Sequence, residues 1–335
     1  MIYDCFLYYD EDMLLSLRLN TLHKYVDKFV IVESLYTFTG EKREKLHFDA
    51  EKYAAFKEQI IYVVNDAPPA ENPWVNEAAA RNSIMKGLAD ARDDDIIIVS
   101  DVDEIIKPEA IAQFSRSHLC TTVYLNFYNF KFNVQVFNQD ETPRQCKLPK
   151  MVALKNLNGF FLGQPELLRN VKQKGNPVRN SWLKWNWLKW RSKIVSDGGW
   201  HFSWVMTDAR ISEKMSTISH TEYDLPEFNN PDHIRYCVEN NVDIWNRPRK
   251  FKVIPLTETH LPAGWWKIKH NFMTLFAEAT NDSLRSTLFC FITPARRQKK
   301  SRPAHRTGLS TLDYLASTIC WSQTSSSSRP ASFNR

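Results

Sequence analysis

The sequence has no apolar run that reaches the roughly 18 residues needed to cross a bilayer. Its first residues lack the basic stretch and the small-residue cleavage site of a signal peptide, and they have the pattern of a strand. The six cysteines have neither the CxxC spacing of a zinc site nor the density of a secreted disulfide framework. These absences predict a cytoplasmic protein with no signal peptide or transmembrane helix.

The excess of positive charge is confined to one end of the chain. Residues 296–335 contain eight Lys or Arg and one Asp, whereas the 295 residues before them contain 36 basic and 37 acidic groups. The overall charge therefore gives no support to a nucleic-acid partner, and we expect none. Periodicity decays after about residue 280, so residues 281–335 are predicted to be a disordered, basic, Ser-rich tail.

Strand and helix patterns alternate along the first hundred residues. This alternation predicts an α/β fold with a mostly parallel central sheet flanked by helices. Ligands of such sheets bind beyond the carboxyl ends of the strands. The predicted strands are 2–9, 29–32, 60–64 and 95–100, and the predicted helices are 14–26, 51–59 and 74–92; further on, strands are expected at 123–133 and 200–202 and a helix at 207–217.

Two carboxylates follow the most apolar of these strands. Residues 95–100 lead into Asp101-Val102-Asp103-Glu104, which places Asp101 and Asp103 on the same side of an extended segment. Carboxylate oxygens are suitable ligands for Mg²⁺ or Mn²⁺ held jointly with diphosphate oxygens. The strand end is therefore a predicted site for a divalent cation and a diphosphate, and Glu104 is expected to orient the turn.

A set of short motifs resembles glycosyltransferase family 17, whose animal members are β-1,4-mannosyl-glycoprotein β-1,4-N-acetylglucosaminyltransferases. The similarity spans about residues 1–265. The motifs are Ile2-Tyr3-Asp4-Cys5-Phe6, Leu17-Arg18-Leu19-Asn20, residues 26–34, Thr37-Phe38-Thr39-Gly40, Asn76-Glu77 with Arg81-Asn82, residues 99–105, Gly199-Trp200-His201-Phe202-Ser203, and Lys214 with Ser219-His220-Thr221-Glu222.

The resemblance implies a GT-A fold, a nucleotide-sugar donor (UDP-GlcNAc in the animal members), a glycan acceptor, a divalent cation (Mn²⁺ or Mg²⁺) and inversion at the anomeric carbon. It predicts one GT-A domain over residues 1–280, with a nucleotide-sugar-binding half at 1–118 and an acceptor half at 119–280. The sequence shows neither the membrane anchor nor the lumenal stem of the animal enzymes. The resemblance therefore leaves the glycoprotein acceptor and the Golgi location open.

The resemblance also predicts roles for single residues. Asp101 and Asp103 are expected to bind the metal and the diphosphate, and His201 or His220 to complete the metal shell. Glu33 and Ser34 are expected to bind the nucleotide, although they could simply form a turn with residues 37–40. Two interpretations apply to Arg81: it points to the diphosphate or Asp103, or it pairs with Glu77 one helical turn earlier.

An inverting transferase needs a carboxylate that takes the proton of the acceptor hydroxyl. The spacing does not decide among four candidates, which are Glu222, Asp208, Asp197 and Glu166. Glu222 is preferred because it lies beside His220 in a motif of the family. Glu222 as the base and Asp103 as the principal metal ligand are therefore the predicted catalytic residues.

A segment rich in lysine and tryptophan, residues 182–193, has two interpretations. In the first, its tryptophans contact an anionic bilayer or acceptor sugars; in the second, Trp182, Trp185 and Trp190 pack onto the core while the lysines are solvated. Packing is preferred. Two alternatives to the predicted function are a transferase that uses another nucleotide sugar for surface glycan synthesis, and a non-catalytic carbohydrate- or membrane-binding protein of the same fold.

Overall fold

The computed structural model describes residues 1–255, 261–265 and 275–276, all within the compact unit Met1–Leu288. The strands are β1 (Ile2–Leu7), β2 (Lys28–Ser34), β3 (Ile60–Asn65), β4 (Ile96–Asp101), β5 (Glu104–Ile106), β6 (Cys120–Val123), β7 (Leu125–Asn129), β8 (Val134–Phe137), β9 (Gln145–Cys146), β10 (Lys150–Ala153), β11 (Ser192–Val195), β12 (Gly199–Ser203) and β13 (Lys250–Val253). The α-helices are α1 (Asp12–Leu22), α2 (Pro73–Asn82), α3 (Pro108–Ile111), α4 (Leu154–Gly159), α5 (Pro165–Arg169), α6 (Pro177–Asn180), α7 (Trp182–Trp190), α8 (Asp208–Thr217) and α9 (Pro231–Asn240), and 3₁₀ turns occupy Ala54–Gln59, Ser83–Leu88 and Thr221–Tyr223.

The larger sheet has the strand order β11-β6-β10-β4-β1-β2-β3. β3, β2, β1 and β4 are parallel, and β10 is antiparallel to both β4 and β6. Side chains of β4 alternate between two cores: Ile98 packs in one, and Ile97 and Val99 pack in the other. The predicted α/β class with a mostly parallel sheet is confirmed, and the apolar run of β4 is explained by burial on both faces.

One predicted helix, 74–92, is too long. Helix α2 ends at Asn82 and continues as a 3₁₀ turn over Ser83–Leu88. The Ser83 hydroxyl donates to the Ala79 carbonyl at 3.1 Å and so competes with the helical hydrogen bonds. Gly87 then lies against β2, where an added Cβ would be 2.4 Å from a methyl carbon of Val30.

A smaller second sheet, with order β13-β8-β7-β12-β5 and β9 beside β7, was not predicted. The expected strand 123–133 divides at Tyr124 into β6 and β7, which belong to different sheets. β5 begins at Glu104, so the turn after β4 carries the chain from one sheet into the other. β12 is antiparallel to β5 and places His201 opposite Glu104.

Gly199 allows this pairing of β12 with β5. Its φ is +156°, and a Cβ there would lie 2.2 Å from the main-chain oxygen of Ile105. A larger residue would push β12 away from β5. The glycine therefore helps to set the position of His201 beside the turn that carries Asp103.

The preferred interpretation of the Lys/Trp segment is wrong for two of its three tryptophans. Trp182 and Trp190 are exposed, and only Trp185 packs beside the core, where Leu188 is buried. A nine-residue helix presents one narrow face to the core, and in α7 that face carries Leu188 and Trp185.

No helix in the described part of the chain is both long and apolar enough to span a bilayer. The predicted tail, 281–335, lies outside the described residues. The predicted division of residues 1–280 into two halves stays a prediction.

Candidate active site

A cleft of about 560 Å³ opens beyond the carboxyl ends of β1, β2 and β4. This is the edge at which open α/β sheets bind their ligands. Eight basic residues line the cleft: Arg43, Arg81, Arg144, Arg169, Arg210, Lys214, Arg247 and Arg249. Five acidic residues also line it: Glu11, Glu77, Asp101, Asp103 and Glu104. The lining therefore carries a net positive charge that is complementary to an anionic ligand.

Asp101, at the end of β4, binds two arginines. One carboxylate oxygen accepts from Arg81 at 2.5 Å and the other accepts from Arg169. Burial alone would raise the pKa of Asp101, but Arg169 and Arg81 hold that pKa below its ordinary value. Asp101 is therefore an anion at neutral pH, and its two oxygens are already occupied by guanidinium groups.

Asp103 faces two different cations. Its carboxylate lies 3.4 Å from Nζ of Lys214, which α8 supplies, and 3.6 Å from Nε2 of His201 on β12. Burial opposes ionisation, but Lys214 and His201 hold the pKa of Asp103 well below its ordinary value. Asp103 is thus a charged carboxylate with an imidazole beside it in the wall of the cleft.

His201 also lies near Glu104 and Cys146. These three side chains form the one group in the described residues whose potential ligand atoms all lie within 4.8 Å of one another. Burial lowers the pKa of His201, but the neighbouring Asp103 and Cys146 reverse that effect and raise it well above 6.5. The imidazole of His201 is therefore positioned to share a proton or a cation with Asp103.

Glu104 acts within the turn. Its carboxylate accepts from the main-chain N–H of Asp101 at 2.9 Å and from Arg169 at 2.5 Å and 2.9 Å. It also accepts from the Cys146 thiol at 3.1 Å. These bonds agree with the orienting role expected for Glu104, and they leave its oxygens engaged.

Of the two predicted nucleotide-binding residues, Glu33 and Ser34, only Ser34 is accessible from the cleft. Ser34 lines the cleft, whereas Glu33 is buried beneath it. The Glu33 carboxylate accepts from the main-chain N–H groups of His47 and Phe48 at 2.7 Å and 3.1 Å, and from the Tyr62 hydroxyl at 2.8 Å. Its hydrogen-bonding capacity is used in holding the loop after β2.

Both interpretations of Arg81 apply in part. Its buried guanidinium donates to Glu77, one turn earlier in α2, at 2.6 Å. The same group donates to Asp101 and, at 2.8 Å, to Glu166. Arg81 therefore makes the predicted pair with Glu77, its partner at the end of β4 is Asp101 rather than Asp103, and its contact with a diphosphate stays a prediction.

His220 and Glu222 form a pair at the rim of the cleft. The two side chains are about half exposed and lie 2.7 Å apart. The His220 ring packs edge-on against Trp74 at 4.7 Å and lines the cleft, whereas Glu222 does not line it. The predicted ligands Asp101, Asp103, His201 and His220 do not supply three atoms within 4.8 Å of one another.

The other predicted bases also lie outside the cleft lining. Glu166 is bonded to Arg81 and Asn170. Asp197 is bonded to Lys107 and Asn126, both at 2.9 Å. Asp208 begins α8, away from the lining residues.

Sequence reasoning missed Glu11, which lies between β1 and α1. Its carboxylate lines the cleft, accepts from the main-chain N–H groups of Tyr9 and Asp10 at 3.0 Å and 3.2 Å, and lies 4.0 Å from Lys214. Burial raises the pKa of Glu11, and Lys214 offsets only part of that rise. One signal could have found it: β1 and β4 are parallel, so the residues that follow β1 lie at the same sheet edge as Asp101 and Asp103.

The mostly parallel sheet, with a charged cleft beyond its strand ends, places the chain among the open α/β proteins that bind ligands at this edge. The profile described as glycosyltransferase family 17 matches residues 1–148. The resemblance to this family that the sequence motifs indicate is thereby confirmed over residues 1–148.

Two curated relatives carry the name β-1,4-mannosyl-glycoprotein 4-β-N-acetylglucosaminyltransferase. The Rattus norvegicus protein is 24% identical over 233 residues, which cover 63% of this chain and 41% of the relative. The Homo sapiens protein is also 24% identical and is covered to 42%. The chain therefore spans less than half the length of these relatives.

Similar solved structures include the inositol-1-phosphate CTP transferase from T. maritima, at 12% identity and a TM-score of 0.35. The match covers 65% of this chain and 96% of that one. The 2-C-methyl-D-erythritol 4-phosphate cytidylyltransferase of Francisella tularensis matches at 11% identity and a TM-score of 0.31, covering 65% of this chain and 99% of that one.

Proposed function

We propose that this chain is a metal-dependent, inverting glycosyltransferase of the GT-A type that transfers N-acetylglucosamine from UDP-GlcNAc to a glycan acceptor. The observation that carries the proposal is the pair Asp101 and Asp103 at the end of β4, in a cleft lined by eight basic residues. The volume of the cleft lies within the range of about 300–1,000 Å³ that is usual for small-molecule sites. The match to family 17 supports the reaction class, and the names of the relatives supply the sugar and the acceptor.

The donor set around Asp103 fits a divalent cation. The ionised carboxylate oxygen of Asp103 and Nε2 of His201, 3.6 Å apart, could both reach one ion at bond lengths of about 2.1 Å once the ion displaces the proton of the imidazole. Asp103 and His201 would hold the ion, and Asp101 would act through its two arginines. When bound, a divalent cation offsets the negative charge that develops on a departing diphosphate.

Basic side chains of the cleft bind and orient the diphosphate in this proposal. Lys214 is the cation nearest to Asp103, and the buried Arg81 and Arg169 contact the partly exposed carboxylate of Asp101. Because these cations are held by carboxylates before any ligand arrives, their positions need little reorganisation on binding. Trp204 and Trp245, from the predicted acceptor half, add aromatic surface to the cleft on which a sugar ring can stack.

Glu11 is the carboxylate that we propose as the base. It lines the cleft, and its raised pKa suits proton transfer near neutral pH better than that of an ordinary glutamate. Glu222, the candidate from the sequence, does not line the cleft, and its carboxylate is bonded to His220. Glu11 therefore replaces Glu222 in the proposal, and paired variants separate the two.

Hydrolysis of nucleotide sugars tests the proposal without a known acceptor. Purified protein is incubated with a panel of donors in Mn²⁺ or in EDTA, and UDP release is measured for the wild type, Asp103→Ala and Asp140→Ala. Asp140 is an exposed carboxylate in the loop after β8 and provides the matched control. We expect Mn²⁺-dependent release from UDP-GlcNAc that is lost in Asp103→Ala and kept in Asp140→Ala.

Other outcomes select among the alternatives. Release from a different donor would support a transferase that uses another nucleotide sugar. If no donor reacts, UDP binding is measured by calorimetry in the same buffers. Absence of Mn²⁺-dependent UDP binding would overturn the catalytic proposal and favour a non-catalytic carbohydrate- or membrane-binding protein.

A further inference from the structure

Helix α7 exposes large apolar side chains on the side away from the core. The exposed fractions are 75% for Trp182, 72% for Leu183, 46% for Trp187 and 71% for Trp190. At 100° per residue these four side chains fall within one arc of the helix, opposite the buried Leu188. We call these four residues the α7 surface.

Packing within the described chain does not account for the α7 surface. Isolated exposed apolar residues are ordinary, but a contiguous apolar patch with a polar rim marks an interaction site. The Trp187 and Trp190 rings contact each other at a centroid distance of 5.1 Å, and the Arg191 guanidinium lies 5.5 Å and 5.8 Å from the two rings. The tryptophans thus form a small apolar cluster bordered by positive charge.

The stretch of sequence that contains α7 carries charge of one sign. No Asp or Glu occurs between residues 167 and 196. Lys184 and Lys189 fall on the two sides of the arc that the α7 surface occupies, between that surface and the buried face. The basic residues that follow α5 and reach into β11 are Lys172, Lys174, Arg179, Lys184, Lys189, Arg191 and Lys193.

We propose that the α7 surface rests on an anionic lipid bilayer. Tryptophan is favoured at the boundary between hydrocarbon and headgroups, and lysines beside it meet the headgroup phosphates. A nine-residue helix is too short to cross the bilayer and would lie in the plane of the interface.

The charge pattern selects the lipid surface over other occupants. A second copy of the chain would bring the same lysines and arginines against their counterparts, with like charges opposed. A neutral glycan could stack on the tryptophans, but it carries no negative charge to pair with the lysines and arginines of this segment. An anionic bilayer is complementary to the aromatic and the basic side chains together.

Vesicle flotation of the full chain tests the proposal. The vesicles are phosphatidylcholine alone, or an equimolar mixture of phosphatidylcholine and phosphatidylserine. The variants are Trp182→Ser/Trp190→Ser, Lys184→Gln/Lys189→Gln and the control Tyr236→Ser, which changes an exposed aromatic residue on α9. All positions except the two lysines are exposed aromatic side chains, and thermal melts check that every variant folds.

We expect the wild type and Tyr236→Ser to bind the phosphatidylserine vesicles and to bind phosphatidylcholine alone weakly. The lysine variant should lose about fivefold in partition coefficient per lysine on anionic vesicles, and added salt should weaken wild-type binding. The tryptophan variant should lose most of its binding to both kinds of vesicle. No donor is present, so the result is independent of the proposed transferase activity.

Four results would overturn the proposal. Two of them are failure of the wild type to float with anionic vesicles, and binding of the tryptophan variant that equals that of the wild type. Concentration-dependent dimerisation of the wild type without vesicle binding, abolished in the tryptophan variant, would show that α7 contacts a second copy instead. Binding to a glycan array without vesicle binding would identify α7 as a sugar-binding surface.

Discussion

The guanidinium of Arg18 donates to the main-chain oxygen of Asp101 at 2.6 Å. Arg18 is fully buried in α1 and also donates to the main-chain oxygen of Glu104 at 3.0 Å. On its other side it holds the buried carboxylate of Asp4 through bonds of 2.5 Å and 2.8 Å. Arg18 therefore fixes the backbone of the turn that presents Asp101 and Asp103.

Arg18→Met should destabilise the fold strongly. Removing one partner of a buried ion pair leaves the other charge uncompensated, and the expected loss in the free energy of unfolding is about 3–5 kcal/mol. Urea denaturation followed by circular dichroism measures it.

The double variant Asp4→Asn/Arg18→Met provides the control. Because it removes both charges, it should be less destabilised than the sum of its single variants. Additive losses would contradict the buried pair as the cause. If the double variant folds but binds UDP more weakly in the presence of Mn²⁺, that loss would report the effect of Arg18 on the turn between Asp101 and Glu104.

Glu11→Gln should abolish turnover while leaving UDP binding nearly unchanged, because only the proton acceptor is lost. A base must be ionised, so the wild-type rate should fall as pH drops through the pKa of Glu11. That pKa is raised by burial, and the fall should occur at a higher pH than for an ordinary glutamate. The measurement is the rate of UDP release against pH.

Glu222→Gln is the matched comparison for Glu11→Gln. We expect a rate and a pH profile like those of the wild type, because Glu222 is exposed and bonded to His220. The opposite pattern, an inactive Glu222 variant beside an active Glu11 variant, would restore the base predicted from the sequence.

Much of the larger sheet could be predicted because its strands are consecutive apolar runs separated by helical patterns. The site itself depends on partners far apart in sequence. Asp103 contacts Lys214 across 111 positions, and Arg169 contacts Asp101 across 68. Local periodicity contains no information about such pairs. The second sheet was missed for the same reason, since β12 finds its partners in β5 and β7.

The exposure of α7 also escaped prediction for a physical reason. Tryptophans occur at four of its nine positions and point in several directions, so the apolar pattern does not identify one buried face. Only the tertiary packing of the helix against the core selects Leu188 and Trp185 for its inner side.

His201 and His220 should differ in their effect on metal dependence. His201→Gln should weaken the Mn²⁺ dependence of UDP binding at least about tenfold, since its Nε2 lies beside Asp103. His220→Gln should leave that dependence unchanged, because His220 is paired with Glu222 and packed against Trp74. Calorimetric titration of UDP at several Mn²⁺ concentrations distinguishes them, and an equal effect of both variants would contradict the assignment.

Lys150 predicts a pH dependence of stability that is independent of the cleft. Burial lowers its pKa to about 8, and its ammonium group donates to the main-chain oxygens of Lys147 and Leu148 at 2.8 Å and 2.9 Å. Between pH 8 and the ordinary lysine pKa of 10.5, the unfolded chain binds more protons at this residue than the folded chain does. The free energy of unfolding therefore rises with pH across this window, and the cost of burying the charge is present in full below it.

The comparison variant is Lys150→Gln, which keeps a donor and removes the charge. From pH 8 to 10.5 the wild type should gain up to about 3 kcal/mol relative to this variant, with no relative change below pH 8. Urea denaturation at a series of pH values measures the difference, and all other titrating groups cancel in it. Lys155→Gln, at an exposed lysine paired with Asp94, should follow the wild type throughout. Parallel stability curves for the wild type and Lys150→Gln would mean that Lys150 keeps an ordinary pKa in the folded protein, because a depressed pKa requires the difference between the two curves to change in favour of the wild type as the buried ammonium loses its proton.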